Sequence, residues 1–217
     1  MDVKIEKHGE KEVKIALSGV NVRFANALRR AMIAEVPTLA IDEVNIYENN
    51  SLLYDEQLAL RLALIPLRTN DLSAYTEEDR LSLSLKAESP ERAGYTMVYS
   101  KDLISSDPKV EPAFDNVPIV KLISTEREIS GIRTVVGQRL SFEAIAKLGR
   151  GREHAKWQPV TVCGLKELQN EDAKTGKKTL LLSIEGDGSR PVDEIVLEAA
   201  RILREKCERV VEELSER

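Results

Sequence analysis

The feature that most constrains the fold is the stretch at residues 21–37, NVRFANALRRAMIAEVP. Asn21 can cap a helix here, because its side-chain oxygen accepts a hydrogen bond from a first-turn amide. Pro37 disfavours helical geometry at the residue before it, so the helix ends close to that position. The apolar side chains recur at helical spacing: Val22, Phe24, Ala25, Ala27, Leu28, Ala31 and Met32. They occupy more than half of the circumference, and a helix of this kind must be covered on two sides.

A second long helix is predicted for residues 191–214, with Pro191 in its first turn. One row of apolar side chains recurs in steps of four and three: Val196, Ala200, Leu203, Cys207, Val210 and Leu214. A shorter second row consists of Ile195, Ala199 and Ile202. Because Lys206 and Arg209 follow at the same spacing, only the first half of the helix can contact two surfaces. At ~1.5 Å per residue this helix is roughly 35 Å long.

Two interpretations fit these helices. Both could pack inside one ordinary α+β fold, in which Arg29 and Arg30 extend along the surface to reach water. Alternatively, part of their apolar surface is covered by another protein. Each large apolar side chain that is buried contributes on the order of 2 kcal/mol, and an uncovered patch of several promotes aggregation.

The rest of the chain predicts mostly strands. Residues 2–7 and 12–18 alternate apolar and polar side chains, which predicts a hairpin. Residues 56–65 predict a short helix, and residues 138–148 predict a strand with alternate apolar positions. Between residues 70 and 118 short strands alternate with proline-rich turns, and we assign this region to an inserted second domain.

Composition excludes several classes of protein. The 217 residues carry a formal net charge of −5, which argues against a free-standing nucleic-acid-binding protein. Cys163 and Cys207 are the two cysteines, too few for a disulfide framework or a four-thiolate metal site. The sequence opens with no signal-peptide pattern and contains no apolar run long enough to span a bilayer. We therefore expect a cytoplasmic protein.

The segment at residues 149–157, GRGREHAKW, contains the most conspicuous candidates for chemistry. Arg150, Arg152 and His154 could bind an anionic substrate if the chain were an enzyme with a site between two domains. The GRGR run lacks the spacing of a phosphate-binding loop, and a lone histidine has no partner ligand. No DxDxD motif for magnesium occurs in the sequence. We predict that the chain has no catalytic residues of its own.

Three blocks of sequence resemble one known family. NALRR is followed by LAIDEVNIYEN and DEQLALRLALIPL, then by LSFEAIAKLGRGREHAKWQPV at residues 140–160, and finally by the C-terminal helix. In this order the blocks resemble the RNA polymerase subunit family that includes bacterial alpha, the eukaryotic third-largest subunit and their archaeal counterparts. The EHAKW element is similar to the archaeal and eukaryotic branch. Together the blocks span most of the chain.

The resemblance implies an α+β fold with a discontinuous dimerisation domain. Residues 1–40 and 156–217 would form this domain, a sheet with two long helices, and residues 41–155 would form an inserted, mostly β domain. The helices would supply the dimer interface, and we assign to it Phe24, Leu28, Ala31, Met32, Ile195, Val196, Ala199, Ile202, Leu203 and Val210.

The resemblance also implies partners. The chain would be a non-catalytic assembly platform that forms a heterodimer with the small alpha-like subunit L. Small zinc-binding subunits and the large catalytic subunits would join that pair. The side chains that we assign to the large-subunit contact are Arg29, Arg30, Arg150, Arg152, His154 and Trp157. Neither a membrane nor sequence-specific DNA contact is expected.

The chain departs from relatives that carry an iron–sulfur cluster, because it lacks their clustered cysteines, and we predict no cofactor. Two other functions remain open from the residues alone. One is a homodimeric interaction module outside transcription, and the other is the enzyme with an anionic substrate.

Overall fold

The computed structural model describes residues 1–129, 132–168 and 179–215. The helices are α1 (Val22–Ala34), α2 (Asp55–Ala63) and α3 (Val192–Ser215). The strands are β1 (Asp2–His8), β2 (Glu12–Ser18), β3 (Pro37–Asn49), β4 (Leu67–Thr69), β5 (Leu81–Glu88), β6 (Gly94–Tyr99), β7 (Ile104–Ser105), β8 (Val110–Pro112), β9 (Pro118–Ile129), β10 (Ile132–Val136), β11 (Arg139–Arg150), β12 (Val160–Leu168) and β13 (Thr179–Gly186). The predicted α+β class is therefore confirmed.

The chain divides into two compact units. The N/C unit combines Met1–Thr38 with Gly149–Arg217, and the middle unit is Leu39–Leu148. The predicted boundary near residue 40 lies close to the observed one. The predicted boundary at residue 155 is displaced, because residues 149–155 belong to the N/C unit.

Backbone contacts explain why residues 149–155 belong there. The amide of Arg152 donates to the carbonyl of Ala34, at the end of α1, over 3.0 Å. A Cβ on Gly151 would lie 2.0 Å from the carbonyl oxygen of Ile33. The glycine therefore permits a close backbone approach, and this approach ties the turn after β11 to the end of α1.

The N/C unit is a four-stranded antiparallel sheet with two helices packed on it. Its strand order is β1-β2-β13-β12, so that the hairpin from the start of the chain pairs with a strand from the last third. The side chain of Asn21 caps α1 by accepting from the amide of Arg23 over 2.9 Å. The helix ends at Ala34, close to Pro37 as the sequence predicts, and Pro37 begins β3.

The core of the N/C unit corrects part of the predicted interface. Ala31 and Met32 of α1 and Ile195 and Ala199 of α3 are at most 3% exposed and belong to this core. Their side chains pack among those of the sheet strands in the same core cluster, so they are not available to a partner, and their assignment to a dimer interface is wrong. The second apolar row of α3 is the row that the chain buries by itself.

The middle unit has its own apolar core. Its largest sheet has the order β3-β11-β5-β7, and two smaller sheets have the orders β10-β9-β6 and β4-β8. The alternation predicted in β11 is confirmed: Leu140, Phe142, Ala144 and Ala146 are buried and belong to one core cluster. In the part of the chain that the structure describes, no helix is both long and apolar enough to cross a membrane.

Candidate protein-interaction site

An apolar groove runs along the N/C unit between its two helices and the sheet. It encloses about 500 Å³. Its lining is almost entirely apolar, and the residues that form it are Met1, Val3, Ile15, Leu17, Phe24, Leu28, Leu182, Val196, Leu197, Ala200, Leu203, Arg204 and Cys207. We call this feature the helix groove.

Several side chains of the helix groove are unusually open to water for apolar residues. Leu197 of α3 is 65% exposed, and Phe24 of α1 is 44% exposed. Met1 and Val3 at the start of the chain are also exposed. Four large apolar side chains around one depression form a patch of the kind that marks a protein-interaction site. Covering each of them contributes on the order of 2 kcal/mol to association.

The six other predicted interface residues fall into three groups. Phe24, Leu28, Val196 and Leu203 line the helix groove. Ile202 is half-buried and packs against the unit's own core. Val210 lies further along α3 and is exposed, together with neighbouring apolar side chains of the last two turns, Val211 and Leu214. The heptad-like row of α3 is thus the row that faces outward.

Nine groove residues were not among the predicted interface residues: Met1, Val3, Ile15, Leu17, Leu182, Leu197, Ala200, Arg204 and Cys207. Ala200 and Cys207 lie on the heptad-like row and could have been included. Leu197 lies on neither row, so helical spacing gives no signal for it. Val3 belongs to β1, whose residues are all exposed, whereas an alternating strand usually buries its apolar face.

An ion-pair cluster joins the end of α1 to α3 beside the helix groove. The Nζ atom of Lys206 lies 2.8 Å from Glu35 Oε1, and Arg152 Nη1 lies 3.8 Å from Glu35 Oε2. The hydrogen bond from Lys206 lowers the pKa of Glu35 from its ordinary value, and the charges of Lys206, Arg152 and Arg150 add to this effect. Glu35 thereby fixes α3 against α1.

This cluster predicts a pH dependence. Because the pKa of Glu35 is lowered on folding, its stabilising contribution is complete above the ordinary value of 4.5 and is lost as pH falls through the lowered pKa. We expect Glu35→Gln to reduce the free energy of unfolding by up to about 1 kcal/mol at pH 7. The difference from the unmodified protein should vanish in acid. Urea unfolding at several pH values measures the free energy of unfolding, with Glu205→Gln as the control variant. If Glu35→Gln is still less stable than the unmodified protein at a pH below the lowered pKa of Glu35, the prediction is contradicted.

A second, shallower depression lies beside the first turns of α1. It encloses about 460 Å³ and is lined by Val22, Arg23, Asn26, Arg29, Cys163 and Leu165. The Nε atom of Arg29 donates to Asn26 Oδ1 over 3.0 Å, which orients the guanidinium. Burial raises the pKa of the Cys163 thiol to about 11, so the thiol stays neutral. Arg29 therefore provides a positioned positive charge, and the neighbouring Arg30 is exposed.

The turn after β11 corrects another prediction. Trp157 is 8% exposed, and a Cβ on Gly149 would lie 2.4 Å from its ring. The ring is thus packed within the N/C unit, which leaves little of it for a partner, and the assignment of Trp157 to a large-subunit contact is wrong. Arg152 and His154 are exposed, and Arg150 is half-buried.

The side chains of this turn make contacts within the N/C unit. His154 Nδ1 accepts from the amide of Lys156 over 3.1 Å, so it caps a short turn at Ala155–Trp157. The guanidinium of Arg152 lies within 4 Å of the carboxylates of Glu35 and Glu153. Within residues 1–129, 132–168 and 179–215, no group of three His, Cys, Asp or Glu side chains is placed to bind a metal ion.

Comparisons with known proteins agree with a site for association. Residues 14–207 match the family model described as the RNA polymerase Rpb3/Rpb11 dimerisation domain. A protein of Pyrococcus furiosus named DNA-directed RNA polymerase subunit Rpo3 is 38% identical over 270 aligned positions, which cover 99% of this chain and 97% of that protein.

Two further relatives carry the same name. The Methanosarcina acetivorans protein is 46% identical over 181 residues, and the Thermococcus kodakarensis protein is 49% identical over 164 residues. The matches cover 77% and 73% of this chain, but only 61% and 57% of those relatives. The family match covers most of this chain and one relative is matched over nearly its whole length, so the chain belongs to the RNA polymerase Rpb3/Rpb11 dimerisation-domain family.

Proposed function

We propose that this chain is an assembly subunit of a DNA-directed RNA polymerase. It pairs through the helix groove with a smaller subunit of the same dimerisation fold, the alpha-like subunit L, and the pair recruits the other subunits. The observation that carries this proposal is the helix groove itself, because a surface this apolar is unfavourable in water until a partner covers it. The family's description as a dimerisation domain supports it.

The shape of the groove favours a helical partner. Its walls are α1 and α3, and its floor includes Ile15, Leu17 and Leu182 of the sheet. An apolar helix side by side with α3 would fill it in the way that helices pack in four-helix bundles. A subunit of the same fold presents such helices. When two such units pack helix against helix, the apolar row of α3 and its counterpart in the partner are both buried.

The positively charged surface beside α1 suits a different partner. Arg29 and Arg30 lie on the helix surface away from the core, and a guanidinium can bind a carboxylate through two parallel hydrogen bonds. We propose that this surface, with Arg150, Arg152 and His154 as further candidates, contacts the large catalytic subunits. Small zinc-binding subunits complete the platform. We propose that this chain contributes neither catalytic residues nor an iron–sulfur cluster, which requires four protein ligands.

Co-expression with a small alpha-like subunit tests the pairing. We expect one complex with the summed mass of one copy of each chain, measured by native mass spectrometry after purification through a tag on the partner. A complex of two copies of this chain, in the presence of the small subunit, would favour a homodimeric module instead. A single copy that never binds the small subunit would contradict the proposal.

Arg30→Ala tests the large-subunit contact. We expect the pair to form normally, because Arg30 does not line the helix groove. Recruitment of the large subunits should weaken by about tenfold, the effect of losing one good charged contact at an interface. Pull-down titration with the large subunits measures it, and Arg92→Ala, an exposed arginine of the middle unit, is the control. Equal recruitment by both variants would refute the contact.

A further inference from the structure

The middle unit contains a strand with one edge open. β10 pairs with β9 from Ile132↔Ile129 to Val136↔Thr125 and is the outer strand of the sheet β10-β9-β6. Within the described ranges, no strand pairs with its other edge. The amides and carbonyls of an open edge are unsatisfied by protein, which makes such an edge a template for another extended segment.

The chain that follows β10 is anchored within the middle unit. The amide of Ser89 donates to the carbonyl of Gln138 over 2.8 Å, and the amide of Asn50 donates to the carbonyl of Arg139 over 3.2 Å. These bonds hold the two residues between the end of β5 and the end of β3. The open edge therefore belongs to a strand whose end is fixed, and an arriving segment meets a defined backbone.

A charged cleft adjoins this position. It encloses about 410 Å³ and includes Val135 of β10 and the glutamates Glu48, Glu88 and Glu91. Arg139 is the basic residue of the lining, and its Nε atom lies 3.7 Å from Glu88 Oε1. Glu48 and Glu91 have no basic partner among the described residues, so the cleft is negative. A negative cleft repels nucleic acid and attracts lysine and arginine side chains.

The floor of the cleft is held by side-chain hydrogen bonds. The amide of Gln138 donates to Ser89 Oγ over 2.7 Å, and Gln138 Oε1 accepts from the amide of Ile123 over 2.8 Å. A Cβ on Gly137 would lie 2.7 Å from the same Ser89 Oγ, so the glycine lets the backbone between β10 and β11 pass close to this hydroxyl. A site whose walls are fixed in advance loses less entropy on binding.

The side chains of β10 add an apolar component. Val135 and Val136 are 40% and 43% exposed and point to opposite faces of the strand. We propose that the open edge of β10 binds an extended, basic segment of a partner protein, which adds as a strand and places its positive side chains against Glu48 and Glu91. The open backbone edge of β10 allows the partner segment to add as a strand. The negative charge of the cleft favours a basic segment. This surface lies outside the helix groove and does not depend on the proposed pairing.

A designed peptide tests the proposal with the full chain. The probe is a fluorescently labelled heptapeptide that alternates Lys and Val. Its binding is measured by fluorescence anisotropy at about 0.05 M ionic strength, where salt screens the attraction between charges only weakly. We expect a dissociation constant below about 1 mM. Hydrogen exchange of the amides at residues 132–136 should slow when the peptide is bound. A peptide of the same charge with Pro in place of the central Val should bind about tenfold more weakly, because Pro cannot donate to the strand ladder.

Charge variants complete the test. Glu48→Lys with Glu91→Lys should weaken binding of the heptapeptide by about tenfold or more, because two attractions become repulsions. Glu10→Lys with Glu78→Lys changes the net charge equally at exposed sites outside the cleft and should bind nearly as well as the unmodified protein. Equal loss in both double variants, equal binding of the Pro peptide, or no binding by about 1 mM would each overturn the proposal.

Discussion

Leu197→Asp is expected to abolish stable pairing with the small subunit while the isolated chain remains folded. Leu197 is 65% exposed, so the change costs the fold little, but it places a carboxylate in a groove that is otherwise almost wholly apolar. Burying an uncompensated charge at an interface costs about 3 kcal/mol or more, which weakens association by at least about 100-fold. Surface plasmon resonance with the immobilised partner measures the loss. Far-UV circular dichroism and the unfolding midpoint show that the chain is intact.

Leu60→Asp provides the matched control for this change. Leu60 lies on α2 of the middle unit and is 57% exposed, so the chemistry of the substitution is the same at a helix outside the groove. We expect wild-type affinity for the small subunit. Loss of pairing in Leu60→Asp, or retention of pairing in Leu197→Asp, would remove the support that the groove gives to the proposed function. Leu28 is less suitable for this test, because it is 8% exposed and also belongs to the core.

Gly151→Ala is expected to lower the free energy of unfolding more than other replacements of glycine by alanine in this chain. The new Cβ would lie 2.0 Å from the carbonyl oxygen of Ile33, which is backbone and cannot turn aside as a side chain can. The turn must then separate from the end of α1 and strain the hydrogen bond between Arg152 and Ala34. Overpacking of this kind costs about 2–3 kcal/mol. Urea unfolding followed by tryptophan fluorescence measures it, because Trp157 belongs to the same turn region.

Gly164→Ala separates this contact from the general effect of replacing a glycine. No atom lies within 4 Å of the position of a new Cβ at Gly164, which belongs to the outer strand β12. We expect its free energy of unfolding to stay within about 0.5 kcal/mol of the unmodified value. If the two alanine variants are equally stable, the close approach at Gly151 does not hold the turn.

Local signals in the sequence were enough to place the helices. Asn21 and Pro37 bracket α1 because capping and proline geometry are properties of neighbouring residues. The apolar spacing of α3 was also sufficient to predict a helix with two rows. Periodicity cannot decide which row meets the chain's own sheet, because both rows are apolar. The structure buries the row of Ile195 and Ala199 and leaves Val196 and Leu203 at the groove.

Contacts between distant parts of the chain could not be predicted. β1 alternates like a strand with one buried face, yet all its residues are exposed because it is the outer strand beside the groove. A single tryptophan can anchor either a core or an interface, and only the family resemblance favours a partner contact for Trp157. Its burial depends on Gly149, which lies eight positions earlier at the end of β11 and lets the ring pack against the backbone. The open edge of β10 depends on sheet order, which no local pattern specifies.

The pairing of β2 with β13 has a consequence for synthesis of the protein. A ribosome releases the N-terminal hairpin long before the strand that it pairs with, and the middle unit, a continuous segment, emerges in between. The middle unit can therefore complete its core before β13, the strand that pairs with the hairpin, has been made. Because α3 follows every other described element of the N/C unit, the helix groove forms only once α3 has been made. Products truncated before α3 lack one wall of the groove, so under the proposed function we expect them not to pair.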